Sequence, residues 1–216
     1  LGEARLAAPA NFRKQLARAV TASDYAQLTE REFKRDVQRA AAQLTWTGSW
    51  YEATVAVDAF GGEPEGEETL LKEIDGALYR YRRMGHDLAV NRARRVPLQV
   101  AFEVCVRQGY LRAHVEAALR DAFSNRTLSG GKRGFFHPDN LTFGQNIYLS
   151  RLVAAAHAVA GVESVRVTKL QRLFEATREE IENGVLPLGA FEVAQLDNDP
   201  NYPEHGRLTL SLKGGR

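Results

Sequence analysis

The chain has 216 residues, 29 Lys and Arg against 27 Asp and Glu, a net charge of +2, and a single cysteine, Cys105. That length supports one generous core or two small ones, since domains commonly run about 100–150 residues, and the near-neutral balance gives no electrostatic reason to expect nucleic acid or an anionic membrane. One cysteine excludes an internal disulfide framework and fits a reducing compartment. No run approaches the roughly eighteen apolar residues of a membrane helix, and no charged-apolar-small leader opens the chain, so a soluble protein is expected.

In chain order, Ser23 reads as the N-cap of a short helix to Arg31, with Asp24 and Glu30 suited to its ends. Ala40, Ala42, Leu44 and Trp46 then alternate with polar residues, the period of a half-buried strand. Gly48-Ser49 turns the chain, and Tyr51, Ala53, Val55 and Val57 return it, predicting an antiparallel hairpin. The stretch Gly61-Gly62-Glu63-Pro64-Glu65-Gly66 reads as a flexible exposed loop. A helix from Glu67 to Met84 follows, with Leu70, Leu71, Ile74, Ala77, Leu78 and Tyr81 on one face and Gly85 as its cap, and then a strand from Leu88 to Arg92.

A second unit opens on the surest strand, Leu98, Val100, Phe102, Val104 and Val106 in strict alternation, with Cys105 read as a small buried hydrophobe within it. Helices are predicted over 111–125 and over 147–160, the latter closed by Gly161, and strands over 162–173, 190–195 and 207–212. The polar stretch 175–184 reads as a helical turn or a loop. The pattern predicts an α+β protein of two small sandwiches, 1–95 and 96–216, each a mostly antiparallel sheet with helices packed on one face. The two units share an approximate element order without a residue-level repeat.

Chemistry is sparse. Gly130-Gly131-Lys132 fails as a phosphate loop because Arg126 and Arg133 stand where Gly and Ser or Thr are required. His86, His114, His137, His157 and His205 show no ligand spacing, and Asp197-Asn198-Asp199 lacks the Gly and Glu of a calcium loop, with Leu208 at the twelfth position. Turn chemistry before Pro200 and Pro203 is the plainer reading. No G-x-S-x-G or S-x-x-K pattern sets a nucleophile beside a base. No catalytic residue, cofactor site or metal site is therefore assigned. Arg92, Arg94 and Arg95 read as a solvated strand end.

The aromatic loop Phe135-Phe136-His137-Pro138 through Phe143-Gly144-Gln145 either anchors a partner or folds back over the sheet end. Together with Tyr81-Arg82-Arg83-Met84-Gly85-His86-Asp87-Leu88, Val96-Pro97-Leu98, Tyr148-Leu149-Ser150-Arg151-Leu152 and Leu196-Asp197-Asn198-Asp199-Pro200, it resembles the C-terminal part of baseplate J-like proteins of contractile phage tails and injection particles. Arg18 to Tyr25 and Trp46 to Tyr51 are similar to the family's middle region.

The resemblance implies a structural wedge subunit, not an enzyme. Such a subunit joins a ring around the spike hub and couples its rearrangement to sheath contraction. Its implied partners are other wedge proteins and copies of itself or a paralogue, and indirectly hub, spike and sheath, with no nucleic acid and no membrane insertion. It implies assembly in the cytoplasm and residence in the baseplate. Phe135, Phe136, His137, Pro138, Phe143, Asp197, Asn198 and Asp199 are the candidate interface. Since family members are longer at the N-terminus, a chain beginning at Leu1 reads as a piece of a longer protein. A small α+β ligand-binding or regulatory module is the alternative, and an enzyme the weakest reading.

Overall fold

The computed structural model describes residues 17–60 and 67–216, so the expected loop 61–66 lies outside the described residues. The chain divides into two compact units, Leu1–Ala93 and Arg94–Arg216. The described residues form four helices and nine strands, an α+β fold.

Unit 1 holds α1 (Ala22–Glu32), β1 (Val37–Trp46), β2 (Tyr51–Ala59), α2 (Glu67–Tyr79) and β3 (His86–Arg92). The cap of α1 is Thr21 rather than Ser23. Thr21 Oγ1 accepts from the Asp24 amide at 3.3 Å while the Asp24 carboxylate accepts from the Thr21 amide at 2.8 Å. A cap at Ser23 would place Ala26 at that third position, and alanine has no carboxylate to return. β1 and β2 form the expected antiparallel hairpin, whereas β3, reached through α2, runs parallel to β2. A helical crossover returns the chain in its original direction, which residue alternation alone does not reveal. Tyr25, Leu28, Ile74 and Leu78 of the helices close over Val37, Ala53, Val55 and Val57 of the sheet, all nearly inaccessible.

α2 ends at Tyr79, five residues before the expected Met84. Tertiary contacts take over the backbone there: the Ala19 amide donates to the Tyr81 carbonyl at 2.8 Å, and Arg82 Nη1 donates to the His86 carbonyl at 3.0 Å. Gly85, at φ +85°, turns the chain into β3.

Unit 2 is organised on β4 (Arg94–Val106), followed by α3 (Arg112–Ala122), β5 (Ile147–Tyr148), α4 (Leu149–His157), β6 (Val162–Arg172), β7 (Val185–Leu186), β8 (Glu192–Gln195) and β9 (Arg207–Gly214). β6 lies antiparallel to β4, β8 runs parallel along Arg94–Pro97, and β9 runs parallel along Gln99–Val106. Both main sheets are thus mixed rather than mostly antiparallel. Val96, Leu98, Val100, Phe102, Val104 and Val106 are each at most 4% exposed and form one wall of a core completed by Val115, Leu119 and Phe123 near α3 and Leu152 and Ala156 of α4.

Cys105 takes the opposite face of β4. It is only half-buried, with its thiol 3.8 Å from Glu163, because alternation sends it away from the helices. On that face Glu103 is held by Lys213 and Arg166, the Lys213 bond first, and both keep its carboxyl below the usual range. The predicted helix 111–125 closes at Ala122 because the Phe135 amide takes the Ala122 carbonyl at 2.8 Å and Ser124 Oγ takes that of Asp121 at 2.8 Å. The helix expected from Ile147 begins at Leu149, since Ile147 and Tyr148 pair with Leu186 and Val185. The stretch 175–184 wraps Glu180, whose Oε2 accepts from Thr177 Oγ1 and the Arg178 amide, both at 2.8 Å.

Gly161 ends the α4 turn at φ +92°, and a Cβ there would sit 2.5 Å from Tyr110 Cδ1 and 2.9 Å from Val115 Cγ2. Gly161→Ala is expected to destabilise unit 2 by at least about 2 kcal/mol, since the left-handed backbone alone costs roughly 1–2 kcal/mol. A thermal melt showing no loss would mean that Tyr110 moves aside freely.

Candidate functional site

The aromatic loop leaves α3 and is ordered largely by its own side chains. Phe123 stacks on Phe102 with centroids 4.7 Å apart, and lies 5.9 Å from Phe135 and 6.4 Å from Phe136, which themselves meet edge-on at 4.9 Å. Phe136 is 2% exposed and so belongs to the core of unit 2, offering no surface to a partner in this conformation. Phe135, His137 and Phe143 are half-buried and Pro138 is exposed. Gly134 permits the close passage, because a Cβ would lie 2.1 Å from the Ser124 carbonyl oxygen. Phe136→Ala is expected to cost about 3 kcal/mol of unit 2 stability by opening a cavity, read as a lowered melting temperature. A variant that melts like the parent would put Phe136 outside the core.

His137 is fixed at both nitrogens. Nδ1 accepts from the Asp139 amide at 3.1 Å, which in the neutral ring leaves the proton on Nε2, 3.0 Å from Thr127 Oγ1. Asn140 Nδ2 donates to the Gly134 carbonyl at 2.8 Å, and Arg133 pairs with Asp139 at 2.8 Å. The histidine therefore positions a loop.

Asp197, Asn198 and Asp199 are likewise engaged within the unit. Asp197 accepts from Asn125 Nδ2 and Gln195 Nε2, both at 2.8 Å, with His205 Nδ1 at 3.1 Å. Asn198, at φ +50°, accepts the Leu208 amide at 3.0 Å, and Asp199 Oδ1 accepts the Asn201 amide at 2.9 Å. This is Asx turn chemistry. The Asn125–Asp197 bond ties the segment just after α3, ten residues before Phe135, to the Asp197 turn. Among the described residues no three His, Cys, Asp or Glu side chains converge on a metal position. No helix among them is long and apolar enough to cross a membrane.

Two further arrangements have no local sequence signature. Arg172 and Glu192 form a nearly buried two-pronged ion pair, 3.0 Å between Nη1 and Oε1 and 2.6 Å between Nη2 and Oε2. Arg94 lies 3.5 Å from the same carboxylate and Arg92 3.6 Å from Glu67, so both of these arginines have carboxylate partners rather than solvent alone. In unit 1, Tyr25 and His86 share a buried 3.0 Å hydrogen bond, and burial, with Arg83 nearby, holds the imidazole below its ordinary pKa.

The Baseplate J-like central domain family matches residues 17–91, which lie within unit 1. Among solved structures, the chain is similar to one in the cryo-electron microscopy structure of the anti-feeding prophage baseplate, at 12% identity and a TM-score of 0.58, over 90% of this chain and 41% of that one. The chain therefore spans less than half the length of that relative, and the likeness is one of fold. No curated protein matches it.

Proposed function

We propose, from the premise that this chain carries a Baseplate J-like central domain, that it is a structural subunit of the baseplate of a contractile phage tail or contractile injection particle. The family match over unit 1 carries this reading, and the fold of the anti-feeding prophage baseplate chain across most of both units supports it. In this proposal the subunit is a wedge component of a ring around the spike hub, and rearrangement of that ring triggers sheath contraction. Its neighbours are other wedge proteins and copies of itself or a paralogue. It assembles in the cytoplasm and has no catalytic role.

The physical demand on such a chain is surface rather than a reaction centre. Two compact units offering loops and sheet edges suit a closed ring, and a ring that switches must hold two arrangements of similar energy. We treat the two units as separate domains on the strength of their separate cores. Within the second, the exposed Pro138 and the half-buried Phe135, Phe143 and Asp199 are the parts of the candidate interface that a neighbour reaches.

The test is an affinity pull-down of the tagged full-length parent from its native host, read by mass spectrometry. Sheath, tube and spike proteins are expected to co-purify. Recovery of the chain without any of them overturns the reading.

A further inference from the structure

One end of unit 1 carries aromatic surface that neither the fold nor the candidate loops use. A row of rings runs outward from the core: Tyr25 to His86 at 6.1 Å, His86 to Tyr51 at 6.0 Å, Tyr51 to Trp46 at 5.1 Å. Exposure rises along it from 0% and 7% to 46% and 56%. Strand alternation explains the row. Trp46 shares its face with Leu44, and Tyr51 with Ala53, so both rings extend the core-facing side of the sheet. Trp50, in the hairpin turn, is 50% exposed.

The turn before β3 reaches the same end, because Tyr51 stands opposite His86 in the parallel register. Met84 in that turn is 96% exposed. Arg82 is held, its guanidinium 3.9 Å above the Tyr79 ring and 3.9 Å from Asp87. Arg80 and Arg83 are exposed and form no ion pair with any described residue. Arg83, whose carbonyl accepts the His86 amide at 3.1 Å, thus sets a cation without an ion pair beside this patch of Trp, Tyr and Met, and Arg80 lies three residues before it.

We propose that this end of unit 1 docks a neighbouring protein subunit that presents an apolar pocket rimmed by carboxylates. The pocket takes the Trp46–Tyr51 ledge, and the carboxylates face Arg80 and Arg83. Trp, Tyr, Met and Arg are the residues enriched where interfaces concentrate their energy, and charged rims steer the encounter. Aromatics with arginines also suit single-stranded nucleic acid, but two arginines make no basic track for a phosphate backbone, and the net charge of the chain is only +2. The inference rests on the baseplate reading only for the existence of neighbours.

The test places a photoreactive benzoylphenylalanine at position 46 of the full-length parent and irradiates particles purified from the native host. The expected result is a crosslink to a different polypeptide of the particle, at an apolar residue with Asp or Glu close by. Particles that contain the chain but give crosslinks only within it, to nucleic acid, to lipid, or not at all overturn the docking surface and leave the baseplate reading standing. Absence of the chain from particles overturns both. As a second measurement, the double variant Trp46→Ser, Arg83→Glu is expected to melt like the parent and to enter particles at least about tenfold less well. Normal incorporation overturns the proposal.

Discussion

Phe102→Asp is expected to leave unit 2 unfolded, with no soluble product at a temperature where the parent is stable. Phe102 is 1% exposed at the middle of β4, stacked on Phe123 and flanked in register by Val167 of β6 and Leu210 of β9. Losing the ring costs roughly 3–5 kcal/mol in transfer and cavity terms. A carboxylate in its place has no cation within the wall of Val100, Val104 and Leu119, and burying it costs several kcal/mol more or forces it to stay protonated. The sum matches or exceeds the roughly 5–15 kcal/mol that holds a domain together. Phe102→Leu, which keeps an apolar side chain, is expected to fold with a loss of about 1–2 kcal/mol. An Asp variant that melts like the parent would show that β4 is not the centre of the core.

The strands that a half-buried sheet imprints on sequence are the parts of this fold that were readable. In β4 every second residue from Val96 to Val106 is buried, and alternation reports that directly. The same reasoning yields the β1–β2 hairpin, and with it the pairing of Trp46 opposite Tyr51. Strand direction across a helix was not readable, since β3 looks the same whether it pairs parallel or antiparallel with β2. Helix ends were misplaced wherever a distant group captured a backbone atom. Ala19 does this at Tyr81, and Phe135 at Ala122.

The candidate interface was legible as irregular, aromatic and Asx-rich, but not in its disposition. Nothing local distinguishes Phe136, which turns inward, from Pro138, which stays exposed, two residues on. The inward choice depends on Phe123, thirteen positions earlier, lying within 6.4 Å. Asp197 likewise has the composition of a free acidic turn, and only the return of Asn125 to its side shows it engaged. The aromatic ledge combines rings from α1, β1, β2 and β3. Hairpin register finds one of its contacts, and the parallel pairing of β3 is needed for the next.

The ion pair between Arg172 and Glu192 joins the end of β6 to the start of β8, and breaking it from the cationic side is expected to cost unit 2 about 3–5 kcal/mol. The side chains are 13% and 11% exposed, and the Gly189 amide also donates to Glu192 at 2.8 Å while Arg172 donates to the Pro187 carbonyl at 3.1 Å. Arg172→Met strands a carboxylate that Arg94, 3.5 Å away on a largely exposed side chain, compensates only in part. Arg172→Met with Glu192→Leu leaves no buried charge and is expected to lose less than the single variant, a non-additivity that a double-mutant cycle measures.

The pH dependence gives the pair an independent signature. Hydrogen bonding to Arg172, then to the Gly189 amide, with the charge of Arg94 added, holds the Glu192 carboxyl below its usual range. A carboxyl whose pKa is lower folded than unfolded contributes stability that is fully present above the unfolded value of about 4.3 and is lost as pH falls through the folded value. Without Arg172 the buried carboxylate favours its proton, so its folded pKa rises. Acidification from pH 7 towards about 5 is then expected to stabilise the Arg172→Met variant relative to the parent, reversing the sign for this one group. Denaturant midpoints measured across that range decide it: a constant difference between variant and parent would mean that Glu192 stays solvated and that the bond to Arg172 contributes little.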